Sequence, residues 1–284
     1  MKTVLITGAS TGIGRAACLH MAKKGWTVFA GVRKQEDADS LSAEDAGIRP
    51  LILDVTKEDD ITAAIRTLND ALGGQTLGGL VNNAGIANMG PLALQPMDDI
   101  RAHFEVNVFG LLAMTKAALP LLGTGEAREG AKGRIVNITS VGGELSAPFL
   151  GAYAATKHAV EAITDAFRRE LLPYGIDAIA IGPGSVKTPI WDKAETANSD
   201  RPYKGSIWDQ SIETFADVML KGGRDGLPPE VVAEDIEAAL CEASPKARYA
   251  PVPDKLTNWT IPRLLPKRMV DRAMAKRYGL EAKG

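Results

Sequence analysis

The sequence predicts an α/β fold in three layers, a doubly wound parallel sheet covered by helices on both faces of a single domain. Three observations carry this. Short apolar runs alternate with longer segments whose apolar residues recur at helical spacing through the first two thirds of the chain. The runs VLI, VFAGV and RIVNI are continuous and lack the polar alternation of a half-wet strand, which suits a sheet buried on both sides. A chain of 284 residues, 45% hydrophobic and 5% aromatic, fits one large core better than two small ones.

In chain order, the strand candidates are Thr3 to Thr7, Thr27 to Val32, Arg49 to Leu53, Gly79 to Asn82, Gly133 to Ile138 and Asp177 to Gly182. Between them, helical spacing runs over Gly14 to Lys24, Asp59 to Leu72, Ile100 to Leu122 and Ala152 to Leu172. This alternation makes βαβ units. From Thr188 to about Pro229 the composition turns mixed, which reads as a substrate-lid insertion into a catalytic domain spanning residues 1–250. Residues 251–284 form a proline-punctuated, basic, amphipathic tail.

Charge and cysteines exclude several classes. A net charge of -2 and a pI near 6.0 give no broad cationic field, so no nucleic-acid partner is expected. Cys18 and Cys241 make no disulfide framework, and Cys18 falls in a helical pattern as a small buried hydrophobe. The opening MKTVLITGAS holds an apolar run only from Val4 to Ile6, far short of a signal core or a membrane span. A cytoplasmic protein is expected.

TGASTGIG, residues 7–14, follows the first strand and opens the first helix. Gly8, Gly12 and Gly14, with Ser10, Thr11 and Ile13 between them, permit a tight turn and a close backbone approach to a pyrophosphate. The helix N-terminus supplies free N–H groups and partial positive charge. A dinucleotide fits this turn in its strand-turn-helix context, whereas the glycine spacing alone also serves plain structural turns. The second strand ends AGVRK, placing Val32 where an NAD site has an acid, with Arg33 and Lys34 following. A guanidinium there pairs with a 2'-phosphate, which favours NADP(H) and leaves NAD(H) open; the bland alternative for the pair is a solvated turn.

Further landmarks follow in order: Asp54 in LDVT, NNAG at 82–85, Asn107 in NVFG, Ser140 in NITS, YAATK at 153–157 and PGSVKTPI at 183–190. With the glycine turn, these resemble the short-chain dehydrogenase/reductase family over residues 1–190, and the remainder only loosely. The resemblance implies a nicotinamide-dependent oxidoreductase on a Rossmann-type sheet, working as a homodimer or homotetramer. Residues four apart on a helix share a face, so Tyr153 and Lys157 address one small volume. A phenol titrates near pH 10 unless its anion is stabilised, and a nearby ammonium and an oxidised nicotinamide would both lower that value. On this reading Tyr153 is the general acid/base and Lys157 tunes it while reaching the nicotinamide ribose. Ser140 orients the substrate oxygen, and Asn107 holds a water that links Lys157 to solvent. Singly, each of the four has an ordinary structural reading; jointly, behind the glycine turn, they form a catalytic set.

The same map gives the cofactor contacts. Asp54 and Val55 meet the adenine, Asn83, Ala84 and Gly85 run beside the adenosine ribose, and Pro183, Gly184, Val186 and Thr188 hold the nicotinamide carboxamide. Hydride transfer belongs to the cofactor. His20, His103 and His158 fall in helical patterns without a carboxylate or thiol cluster, so no metal is implied. No G-x-S-x-G elbow follows a strand, which removes a serine hydrolase.

Leu145, Phe149 and Trp191, with Ser140 and Tyr153, are the expected substrate wall, an apolar pocket for a bulky alcohol or ketone of steroid or retinoid type. The tail from Asn258 to Leu280 could lie on a membrane surface, but a helix packed on the domain or a partner subunit with a solvated basic side is the favoured reading. A non-catalytic dinucleotide sensor or scaffold is the alternative function on this fold. The intact Ser, Tyr, Lys and Asn set argues against it. A sugar-nucleotide epimerase would carry a larger C-terminal domain.

Overall fold

The computed structural model describes residues 2–125, 127–191 and 203–281. Among these residues seven strands form: β1 (Thr3–Thr7), β2 (Thr27–Val32), β3 (Ile48–Ile52), β4 (Gly79–Asn82), β5 (Arg134–Ile138), β6 (Asp177–Ile181) and β7 (Arg248–Tyr249). They make one sheet in the order β3-β2-β1-β4-β5-β6-β7, every neighbouring pair parallel. The winding reverses between β1 and β4, which opens a crevice beyond their C-terminal ends, where sheets of this kind bind ligands.

Strand periodicity assigns the two faces. In β1, Val4 and Ile6 join a core with Ala17, Cys18 and Met21 of α1 (Gly12–Lys23), while Leu5 between them joins the opposite core. The first face is completed by α8 (Pro229–Cys241), whose Val232, Ala233 and Ile236 are fully buried. His20 Nε2 lies 2.6 Å from Glu237 Oε2 and fastens the two helices. On the other face lie α3 (Glu58–Leu72) and α5 (Leu111–Leu119), with α6 (Gly151–Glu170) beside α5 through Val160 and Leu111. The three layers follow from strands that are apolar on both sides. Burial also pushes the Cys18 thiol up to about 12, so it packs as an inert small hydrophobe.

Observed boundaries fall within a few residues of those expected, with additions. The stretch expected as Ile100 to Leu122 begins earlier, as α4 (Met97–Phe104), and then widens into a π-helical turn over Glu105–Gly110 before α5. By length and composition Met97–Thr124 could cross a membrane, yet 56% of its apolar window is buried inside the domain. Between β2 and β3 lies α2 (Gln35–Ser42), whose polar sequence QEDADSLS buries only Ala38 and Leu41. β7 is a two-residue strand.

The segment expected as a lid contains a helix, α7 (Asp209–Arg224); its residues 192–202 lie outside the described residues. Phe215 of α7 is fully buried in a small separate core. Its ring meets Phe149 edge-on at 5.6 Å and Tyr278 at 5.1 Å. Tyr278 ends α9 (Lys267–Tyr278), so the C-terminal segment docks on α7 through this aromatic cluster.

Candidate active site

The site begins where β1 gives way to α1. Gly8 and Gly12 take φ of +65° and +57°, a region that side chains other than glycine rarely adopt. A Cβ on Gly14 would stand 2.3 Å from the Gly8 carbonyl oxygen and 2.5 Å from Asn83 Nδ2, so the turn closes only around glycine. Thr11 caps α1 by position, but its side chain makes no cap hydrogen bond, and the first turn holds no acid. The helix N-terminus thus keeps its partial positive charge, and the turn fits a dinucleotide pyrophosphate.

Asn83, expected beside the adenosine ribose, has its amide committed to the turn. Nδ2 donates to the carbonyls of Thr7 at 3.0 Å and Gly8 at 2.9 Å. The backbone N–H groups of Asn83 and Ala84 donate to Thr7 Oγ1 at 3.0 and 3.1 Å. The end of β4 therefore braces the end of β1 across the switch point. Asp54 Oδ1 accepts from the Thr56 N–H at 3.0 Å and hydroxyl at 2.7 Å. Burial alone would raise this carboxyl, but the Thr56 bonds and the charges of Arg33 and Lys57 hold it below its usual value. Val55 is buried against Gly110, while Arg33 is exposed past the end of β2.

Two residues beyond β5, Ser140 starts a short 3-10 turn, Val141–Gly143, and its Oγ accepts the Gly142 N–H at 3.0 Å. Tyr153 stands near the start of α6 with Lys157 one turn later. Lys157 is buried; its Nζ donates to the Ile138 carbonyl at 2.8 Å and lies 5.7 Å from the Tyr153 ring centre. Burial pulls the Lys157 ammonium down to about 8, against the support of Glu161. Burial also pushes the Tyr153 phenol above its ordinary value, and the Ser140 hydrogen bond offsets only part of this. The sequence led us to expect an ammonium that lowers the phenol. In the protein alone burial wins instead, with Lys157 Nζ bonded to Ile138.

Asn107 lies in the π-helical turn, and its side chain is a clamp. Oδ1 accepts the Ile86 N–H at 2.8 Å, while Nδ2 donates to the Ile86 carbonyl and to Thr156 Oγ1, each at 3.0 Å. Thr156 in turn donates to the Tyr153 carbonyl at 2.7 Å. The space a Cβ would take on Gly85 lies 3.3 Å from Asn107 Oδ1 and 3.7 Å from Lys157 Nζ. The fold thus gathers Asn107, Ser140, Tyr153 and Lys157 beyond the ends of β4 and β5. Sequence reading did not single out Thr156; the only signal in the sequence was a hydroxyl residue one position before the lysine of YAATK, and its burial appears only in the fold.

The loop after β6 closes the other side. Val141 N–H donates to the Pro183 carbonyl at 3.0 Å, Val252 and Pro253 press on Gly184, and the Thr188 side chain faces Gly12. Val186 is buried and pairs with Leu227 in an isolated bridge. Trp191 Nε1 donates to the Val186 carbonyl at 2.7 Å, and its ring lies on Gly223. Leu145 is half-buried just after the 3-10 turn. Phe149, expected at the pocket wall, is instead buried in the aromatic core against Phe215, with its backbone at φ +62°. An apolar side chain that went unforeseen, Leu92, is exposed and packs on Gly151, two residues before Tyr153.

A family model described as short chain dehydrogenase matches residues 2–199 of this chain. The chain belongs to the short-chain dehydrogenase family. Among relatives, an NADPH-dependent 3-dehydrocapnine reductase of Ornithobacterium rhinotracheale is 37% identical over 277 residues, which is 97% of each chain. Retinol dehydrogenase 5 of Mus musculus is 31% identical over 283 residues, 95% of this chain and 87% of its own. A solved actinorhodin polyketide ketoreductase with NADPH matches at a TM-score of 0.74 and 29% identity, covering 91% of this chain and 98% of its own. Like other short-chain dehydrogenases, this protein is an oxidoreductase built on a Rossmann-type sheet.

Proposed function

We propose that the protein interconverts a bulky apolar alcohol and its ketone or aldehyde with NADP(H), with Tyr153 exchanging the proton. The meeting of Ser140, Tyr153, Lys157 and Asn107 beside the glycine turn is the observation that carries this reading. A bound nicotinamide supplies the hydride and, when oxidised, a positive charge. Because Ser140 Oγ accepts from Gly142, its own proton is left to donate toward the substrate oxygen and hold it against the Tyr153 hydroxyl. Tyr153 hands over its proton as the alkoxide forms, and Lys157, still mainly protonated at neutral pH, stabilises the phenolate left behind. Asn107 has committed its side chain to Ile86 and Thr156, so its backbone carbonyl in the π-helical turn is the group left to hold a relay water.

For the cofactor, Gly8, Ser10, Thr11, Gly12, Ile13 and Gly14 line the pyrophosphate turn, Asp54 and Val55 flank the adenine, and Arg33 takes the 2'-phosphate. NADPH in the names of a relative and of a structural neighbour supports the choice of NADP(H). Arg33→Ala is expected to lower kcat/KM with NADPH about tenfold or more and to leave NADH turnover nearly unchanged. Steady-state rates with both cofactors check this; a preference for NADH that ignores the substitution would remove Arg33 from the site. Leu92, which packs on Gly151 two residues before Tyr153, together with a retinol dehydrogenase among the relatives, supports an apolar substrate of steroid or retinoid type.

A further inference from the structure

Next to the Ser140 turn lies a group of charges to which the proposed chemistry assigns no step. Arg248 of β7 pairs with Glu144 Oε1 and with Glu161 Oε1, each at 2.9 Å, and its Nη2 reaches the Ser140 carbonyl at 3.4 Å. Glu161 stands one helical turn past Lys157, and the same Oε1 accepts the Thr139 hydroxyl at 2.7 Å. One guanidinium therefore ties the start of the Ser140 turn, its far end at Glu144, and the helix that carries Lys157. A Cβ on Gly182 would stand 2.1 Å from Arg248 Nη2, so this guanidinium needs a glycine beneath it.

The C-terminal segment holds the arginine in place. Residues 247, 249 and 251 pair in sequence with the backbone of residues 180, 182 and 184, which brings the chain past the sheet edge. Trp259, buried at 4% exposure, then carries two guanidiniums, with Arg248 and Arg263 each 4.5 Å from its ring centre. Arg263 pairs with Glu144 Oε2 at 2.5 Å. Two arginines and two glutamates balance in charge, and three of the four side chains are a quarter exposed or less. Isolated surface pairs hold little; a partly dry network around a buried ring leaves its remaining charges unpaired when one member is lost.

We propose that Trp259 is a positioning residue for the reaction: it sets Arg248 and Arg263 so that Glu144 fixes the Ser140 turn and Glu161 fixes the turn of α6 next to Lys157. This rests on the proposed roles of Ser140 and Lys157. The C-terminal segment is thus part of the reaction centre's scaffold, although none of its residues in this network need touch substrate. Placement errors on the scale of an ångström suffice to slow chemistry without weakening cofactor binding.

Trp259→Ala is expected to lower kcat about tenfold while KM for NADPH stays within about twofold, and Trp259→Phe, which keeps a ring under both arginines, restores most of the loss. Hydrogen exchange in peptides over residues 139–146 should quicken about tenfold in the Ala variant, with residues 3–32 unchanged. Arg263→Met, at a half-exposed position, carries the same pattern at smaller size should the Ala variant not fold. An unchanged kcat, with or without faster exchange, overturns the proposal, as does a rise in KM for NADPH matching the fall in kcat. A wild type that turns over no carbonyl with NADPH refutes the functional reading instead, and the exchange measurement then decides the clamp alone.

Discussion

Replacing Tyr153 by Phe is expected to lower kcat about 10³-fold and to leave NADPH affinity within about twofold of the wild type. The substitution removes one oxygen and keeps the ring, so the packing at the start of α6 is preserved. Ser140 loses the partner that its hydroxyl shares, but keeps the Gly142 N–H that fixes its rotamer. Cofactor contacts in the glycine turn lie on another element and are untouched. What disappears is the group that gives the substrate oxygen its proton, while the Lys157 ammonium stays bonded to the Ile138 carbonyl. Single-turnover rates, with cofactor titrated by fluorescence, separate the two effects. Activity above roughly 5% of wild type would refute the general-acid role, since acid catalysis of this kind contributes far more.

Lys157→Met combines a loss of activity with a gain in stability. Activity should fall about 10²-fold or more, because the phenolate loses its counter-charge. Stability moves the other way because the ammonium is buried. Its value of about 8 in the fold lies below the 10.5 of the free side chain, so the native state releases its proton first as pH rises. Between those values the unfolded chain binds more protons, and stability from this group climbs with pH. Below pH 8 the full cost remains, about 3 kcal/mol from the difference in proton affinity. The lost bond to Ile138 takes back about 1 kcal/mol. The Met variant should therefore be the more stable at neutral pH, with a margin that shrinks between pH 8 and 10.5. Urea unfolding of both proteins across that range gives the margin directly; one that stays flat with pH would show that the buried ammonium is not destabilising the fold.

Both predictions depend on features the sequence exposed to different degrees. The sheet was legible because its strands are apolar on both faces, and TVLIT and TVFAGV are buried at every position. The helix α2 was hidden because QEDADSLS has only two core contacts and no sustained period. In α8 the signal was present, with Val232, Ile236, Ala239 and Leu240 recurring at helical spacing, but it followed a segment read as irregular lid. Positions of Tyr153 and Lys157 could be argued from spacing along one helix. The commitments of Asn83 and Asn107 could not, because their partners at Thr7, Gly8 and Ile86 are set by strand order rather than by neighbours in sequence. For the same reason Phe149 read as a pocket residue, since its partner Phe215 lies in a helix the sequence left undefined.

The shift of Tyr153 was not legible in the sequence, even in its sign. The Lys157 spacing implied an ammonium beside the phenol, yet burial lowers the ammonium as well as raising the phenol. Two groups that share a dry site are desolvated together, and spacing alone carries no information on burial.

The most direct test of the account is the nicotinamide absorbance of the wild-type protein mixed with NADPH and a panel of carbonyls. The panel sets bulky apolar ketones and aldehydes, including steroid and retinoid types, against small polar ones. NADPH oxidation is expected with the apolar group, and none from the Tyr153→Phe variant under the same conditions. Tight NADPH binding with no oxidation by any carbonyl, and no reduction of NADP by the matching alcohols, would contradict it and leave a dinucleotide-binding protein without chemistry.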